Sequence, residues 1–172
     1  MKRAFQTLDR KRDGRIDLEE LKDIFAILGH KTKRVRSPPS DRDAFEIQGE
    51  VEDMIWEVDE DCDGAVNWNE FQTMYHRCRS DRTGREPRRL FNLTEFVMND
   101  KDFSGRVSLE EAMQILYLRY GRELMDAQLE DIFGTSDLNS GKTLCLTEFL
   151  DSLHANQVIC LIMCVNELPV HL

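Results

Sequence analysis

Four times along the chain, an Asp/Gly-rich stretch of about a dozen residues stands between two amphipathic helical patterns, centred on Gly14, Gly64, Gly105 and Gly141. Helical periodicity is clearest in Leu21-Ile24-Phe25-Leu28, in Met54-Ile55-Val58 and in Leu90-Leu93-Phe96-Val97. Ala112-Ile115-Leu116-Leu118 and Leu129-Ile132-Phe133 continue it. The chain has 172 residues, room for one core or two small lobes, so the repeat must account for nearly all of it.

The loops decide the chemistry. A hard divalent cation such as calcium takes six to eight oxygens. A twelve-residue loop supplies them from positions 1, 3, 5, 7 (backbone carbonyl), 9 and a bidentate Glu at 12, with Gly at 6 for the turn. The second loop, Asp59 to Glu70, meets every requirement: Asp59, Asp61 and Asp63 at 1, 3 and 5, Ala65 at 7, Asn67 at 9 and Glu70 at 12. The third, Asp100 to Glu111, does so with Asp100, Asp102, Ser104, Arg106 (through its carbonyl), Ser108 and Glu111. It brings three carboxylates where the second brings four, so weaker binding is expected of it. Seven constrained positions match by chance in on the order of one window per million, which disfavours an ordinary acidic turn.

The other two loops depart from the pattern. In the first, Asp9 to Glu20, Lys11 stands at position 3 and sets an ammonium beside the cation, at a cost of several kcal/mol unless it swings out. The fourth fits no single register. Starting at Asp137 puts Glu148 at 12 but Gly141 at 5 and Cys145 at 9, whereas starting at Ser136 restores the glycine and leaves Thr147 at 12. Two calcium sites are therefore expected, with the first and fourth loops impaired. Position 8 is aliphatic in all four loops, so Ile16 should pair with Val66, and Val107 with Leu144, in short two-stranded contacts. The expectation is an all-α fold of four helix–loop–helix units in two paired lobes, residues 1–84 and 85–156, followed by an apolar tail, 157–172.

With the loops assigned, the chain resembles the calmodulin-like EF-hand proteins over about residues 4–155. The stretch from Glu57-Val58-Asp59 to Phe71-Gln72-Thr73-Met74 is especially similar to the second unit of that family. The resemblance implies two lobes, calcium sensing and capture of a partner's helix in an apolar groove. Several features depart from it: a short first helix, the 31–43 insertion, a linker interrupted by Gly84 and Pro87, and two defective loops.

Composition narrows the alternatives. A net charge of −10 argues against nucleic-acid binding, which needs a basic face. Five cysteines form no CxxC pair, and with no apolar leader visible at the N-terminus they suggest reduced thiols in the cytoplasm. The longest apolar run, Val158 to Val165, is too short to span a bilayer. No nucleophile–base arrangement or phosphate loop points to an enzyme.

Against the acidic whole, two segments are basic. Residues 31–43 carry five basic and two acidic residues, and 77–89 carry six and two. Both read as exposed loops, either solvated or facing an acidic surface such as a cytoskeletal polymer. Pro87 suits the first turn of the helix that follows. Met54, Met74, Met98, Met113 and Met125 lie on helix faces, as core or as groove lining. With Phe25, Ile55, Tyr75, Phe96 and Ile115 they would line one groove per lobe. The tail extends the last helix into the core, docks in a groove, or is an exposed end. Two functions follow: a sensor or calcium-tuned subunit that binds a partner protein, and a calcium buffer that opens little.

Overall fold

Among the described residues, the fold rests on five helices, two further helical stretches and two pairs of three-residue strands. The structure is a computed structural model and describes residues 1–30, 41–81, 83, 85–115, 117, 130, 141–151 and 153, with the side chains of 41–47 excepted. The elements run α1 (Lys2–Leu8), β1 (Arg15–Asp17), α2 (Leu18–Ile27), α3 (Asp41–Trp56), β2 (Ala65–Asn67), α4 (Trp68–Ser80), α5 (Arg89–Asn99), β3 (Arg106–Ser108) and β4 (Thr143–Cys145). Residues 109–115 and 146–151 are helical as well.

Two helices start for a reason written in the loops. Asp17 caps α2 and Asn67 caps α4, each in a reciprocal capping box with a Glu three residues on, Glu20 or Glu70. The cap satisfies amide groups that a helix start otherwise leaves without partners. One pair of side chains therefore ends the loop and begins the helix.

The strands pair antiparallel in the expected register, Ile16 opposite Val66 and Val107 opposite Leu144. Ile16, Val66 and Val107 are fully buried, so the contact both aligns two loops and closes a piece of core.

The core is continuous. Phe5, Phe25 and Phe71 belong to the same buried cluster as Phe91, Phe96 and Phe149. The element joining them is α5, in which every residue from Leu90 to Val97 is buried. A helix buried all round is interior rather than amphipathic, and α5 packs on α1, α3 and α4. Phe91 lies 5.3 Å from Tyr75 of α4, ring centroid to centroid. At the far side of α1, Phe5 stands edge-on to Trp68 and Phe71.

Two further contacts tie the halves of the chain. A Cβ on Gly105 would lie 3.5 Å from the Leu28 backbone, so the turn of the third loop rests directly on the end of α2. His30 pairs its two ring nitrogens with Thr147 (3.2 Å) and Glu50 (3.3 Å).

The connection from α4 to α5 is organised by Asp81. Its carboxylate accepts from the Thr83 amide and hydroxyl (both 2.7 Å), the Glu86 amide (3.1 Å) and Arg88 (3.1 Å). Burial alone would raise this carboxyl, but these hydrogen bonds outweigh it and hold it well below the usual range. Nearby, burial pushes the Cys78 thiol up to about 11, so it stays protonated and unreactive.

Several expectations need correction. Residues 41–43 are helical, because α3 begins at Asp41, past both prolines and with acidic residues in its first turn. The remainder of that insertion, 31–40, lies outside the described residues. Residues 77–80 belong to α4, since the breakers come only at 83–87. Pro87 precedes the helix instead of opening it, as α5 starts at Arg89. Three of the arginines in this segment serve internal pairs: Arg77 with Glu86, Arg88 with Asp81, and Arg89 with Asp53 and Glu57. The residues expected to line grooves are mostly inside the core. Phe25, Met54, Ile55, Met74, Tyr75, Phe96 and Ile115 are buried, and Met98 and Met113 pack against them half-buried. Met125 and the 157–172 tail lie outside the described residues. No helix among the described residues is long and apolar enough to cross a membrane.

Candidate metal centre

The second loop gathers its carboxylates before the chain turns into α4. One oxygen from each of Asp59, Asp61 and Asp63 lies within 4.8 Å of the others. Asp59 accepts from the amides of Asp63 (3.2 Å) and Gly64 (2.8 Å), which folds the loop around it. Glu70 closes the ring from the helix side, accepting from the amides of Glu60 (3.0 Å) and Asn67 (2.9 Å). The turn needs positive φ at Gly64 (83°) and also at Cys62 (58°), a conformation that few side chains adopt. Ala65 at position 7 sits in β2, and the Asn67 side chain accepts from Asn69 and Glu70.

Crowded acidic groups make the electrostatics of this loop. Desolvation within the loop pushes the Asp61 carboxyl above its ordinary range, aided by the charges of Asp63, Glu70 and Asp59. Such a cluster is unfavourable alone and favourable around a cation. The donor set is all oxygen, which suits calcium over zinc or copper.

The third loop repeats the construction with two hydroxyls, Ser104 in place of an acid and Ser108 in place of an amide. Asp100, almost fully buried, accepts from the amides of Ser104 (3.0 Å) and Gly105 (2.9 Å). Burial raises its carboxyl while the Gly105 amide lowers it, and the balance is upward. The Ser104 hydroxyl lies 3.1 Å from the Arg106 carbonyl, the position-7 oxygen, and 3.3 Å from Asp100. Asp102 also accepts from the Ser104 amide, at 3.2 Å. Ser108 and Glu111 form the position 9 and 12 pair, with two contacts of 3.0 Å.

The first loop has the same backbone despite its lysine. Arg12 takes the positive φ seen at Cys62 and Phe103, and Asp9 accepts from the Asp13 and Gly14 amides. Lys11 neither leaves the loop nor disrupts it: its ammonium pairs with Asp17, the position-9 carboxylate. That hydrogen bond raises the ammonium's pKa. Burial would raise the Asp17 carboxyl, but the bond and charge of Lys11, together with the Glu20 and Glu19 amides, outweigh it and draw it down. A tethered cation thus neutralises a group that a metal would otherwise use.

In the fourth loop the described part begins at Gly141, and it resolves the ambiguous register at its exit. In all four loops the position-9 amide donates to the position-12 Glu: Asp17 to Glu20 (3.0 Å), Asn67 to Glu70 (2.9 Å), Ser108 to Glu111 (3.0 Å) and Cys145 to Glu148 (2.9 Å). Glu148, not Thr147, therefore holds position 12. Residues 137–140, the entry to this loop, lie outside the described residues.

Two contacts go beyond what the loop pattern foresees. Arg15, in β1, pairs with Asp63 of the second loop. Arg106, its equivalent in β3, donates to the Thr143 hydroxyl at 2.7 Å. A signal for both exists in the sequence, since each arginine stands at position 7 beside a strand whose register is set by position 8.

Comparison with known proteins agrees with this geometry. A family model described as an EF-hand domain pair matches residues 1–76. Troponin C of Todarodes pacificus is 26% identical over 148 residues, covering 85% of this chain and 86% of that protein. A myosin regulatory light chain of Caenorhabditis elegans is 27% identical over 143 residues, covering 82% and 70%. Calmodulin-like protein 2 of Arabidopsis thaliana is 28% identical over 131 residues, covering 74% of each.

Proposed function

We propose that the chain is a calmodulin-like EF-hand calcium-binding protein and acts as a calcium-responsive subunit that binds a partner protein. Four hands in two pairs, residues 1–84 and 85–156, would carry calcium at the second and third loops only. Asp59, Asp61, Asp63, the Ala65 carbonyl, Asn67 and Glu70 would hold one ion. Asp100, Asp102, Ser104, the Arg106 carbonyl, Ser108 and Glu111 would hold the other. The observation that carries this reading is the convergence of three aspartates at positions 1, 3 and 5, with Glu70 closing the same loop. Calcium would supply the charge that this cluster lacks.

The first loop would serve as scaffold. Lys11→Asp exchanges the tethered ammonium for an oxygen ligand at position 3, so titration calorimetry should register a third binding event with the fold intact. If none appears, the seven-residue α1 leaves the loop too weakly anchored, and Lys11 is not the block.

Partner binding is supported by one relative named as a myosin light chain, by its name a subunit of a larger assembly. We propose a cytoplasmic place for this chain, with the likeness to a myosin light chain as support for cytoskeletal association. Burial of Phe25, Met54, Ile55, Met74 and Tyr75 corresponds to a closed first half, and calcium would open it to receive an amphipathic helix. A hydrophobic dye should then fluoresce several-fold more strongly with calcium than with chelator. The same burial also favours a second reading, a buffer that opens little. Equal dye fluorescence in both states, with no partner retained in either, would select it. Among the described residues of the 77–89 segment, Arg79 and Arg85 are left to meet an acidic partner surface, because Arg77, Arg88 and Arg89 serve internal pairs.

A further inference from the structure

The β1–β2 contact joins the first two loops by backbone, and a side chain crosses it to the metal-binding side. Arg15 opens β1 opposite Asn67, and its guanidinium pairs with the carboxylate of Asp63. The other oxygen of Asp63 accepts from the Ala65 amide at 3.0 Å. Both oxygens of this group are therefore engaged, one by backbone and one by a full positive charge. Asp63 is also one of the three carboxylates that converge in the second loop.

We propose that Arg15 sets the calcium affinity of the second loop, as a tethered cation that offsets one of its four carboxylates and that an incoming ion must compete with. This rests on the reading of that loop as a calcium site. The first loop then carries two internal cations with different targets: Lys11 neutralises its own Asp17, and Arg15 neutralises its neighbour's Asp63. A loop that has lost the metal still regulates the one beside it.

The second half of the chain provides an internal contrast. Arg106 occupies the same loop position as Arg15 but turns to the hydroxyl (2.7 Å) and carbonyl (3.4 Å) of Thr143, which are neutral. Its guanidinium is directed at the fourth loop's strand and not at a carboxylate of the third loop, so the effect of Arg15 belongs to the second loop alone. The Arg15–Asp63 pair is partly exposed, at 56% and 27% of the side chains. Pairs of that kind are worth about two- to fivefold in an equilibrium and weaken with salt.

The test is calcium titration of the full chain at low ionic strength, with calcium alone as ligand. Glu70→Gln and Glu111→Gln first identify which binding event belongs to which loop. Arg15→Gln, which removes the charge and keeps most of the side chain, should tighten the event of the second loop about two- to fivefold. The event of the third loop should be unchanged. Arg15→Lys, which keeps the charge, should stay close to the parent. The gain should shrink at about 0.5 M salt, where exposed charges are screened over a few ångströms. Circular dichroism of the calcium-free variants checks that the helices remain. Unchanged or weaker binding at the second loop in Arg15→Gln, or an equal gain at both loops, overturns the proposal. If Glu70→Gln removes no event from the parent protein, the calcium reading of the second loop fails and this inference with it. If Glu70→Gln does remove one and Arg15→Gln changes nothing, the inference alone fails.

Discussion

Glu70→Gln should abolish one of two calcium-binding events, and Glu111→Gln the other, in titration calorimetry of the full chain. The position-12 carboxylate supplies two oxygens of the six to eight that the ion requires. Its loss should exceed the roughly 10–100-fold penalty typical of a group that merely supports a metal ligand. Glutamine is the informative substitution because Glu70 also holds a helix start, where its side chain accepts from the Asn67 amide in the capping box of α4. Glutamine can still accept that bond, so the cap survives while the charge is lost. A variant that keeps both events, or a parent chain that binds four ions with equal affinity, would contradict the assignment of the loops.

Phe91→Ala should destabilise the protein by about 3–5 kcal/mol, measured by urea unfolding at a fixed calcium concentration. Phe91 is 2% exposed, packs against Tyr75, and has the Arg88 guanidinium 5.8 Å above its ring. Removing the ring opens a cavity between α4 and α5, where close packing leaves little freedom to collapse. Set against the ~5–15 kcal/mol that holds a typical domain together, such a loss is a large share. A change below about 1 kcal/mol would mean that α5 is not the interior helix described above.

The loops were the most legible part of the sequence, for a physical reason. Ligand positions, turn glycine and strand register are local, so Asp59 to Glu70 can be read without knowing what surrounds it. The pairings of Ile16 with Val66 and of Val107 with Leu144 follow from the same local rule. What could not be read depends on contacts distant along the chain. The helical pattern of Leu90, Leu93, Phe96 and Val97 predicts one apolar face, but Asn92, Thr94 and Glu95 are buried too. Periodicity reports which residues are apolar, and only packing decides which are enclosed. Lys11 illustrates a second limit. Its charge marked the loop as defective, yet charge alone does not say whether the ammonium turns to water or inward to Asp17. The same holds for Arg15, whose partner lies 48 residues away.

Enclosure of α5 bears on what the exposed α4–α5 connection does for the chain. Arg85 is accessible there, between a helix end and a buried helix start. A protease cutting at that arginine would sever the backbone but leave α5 wedged among α1, α3 and α4. The nicked pieces would remain one particle, held by side-chain contact, and would part only when the core itself was dissolved. Backbone continuity at this point supplies proximity during folding, whereas cohesion afterwards comes from the interlocked apolar surfaces.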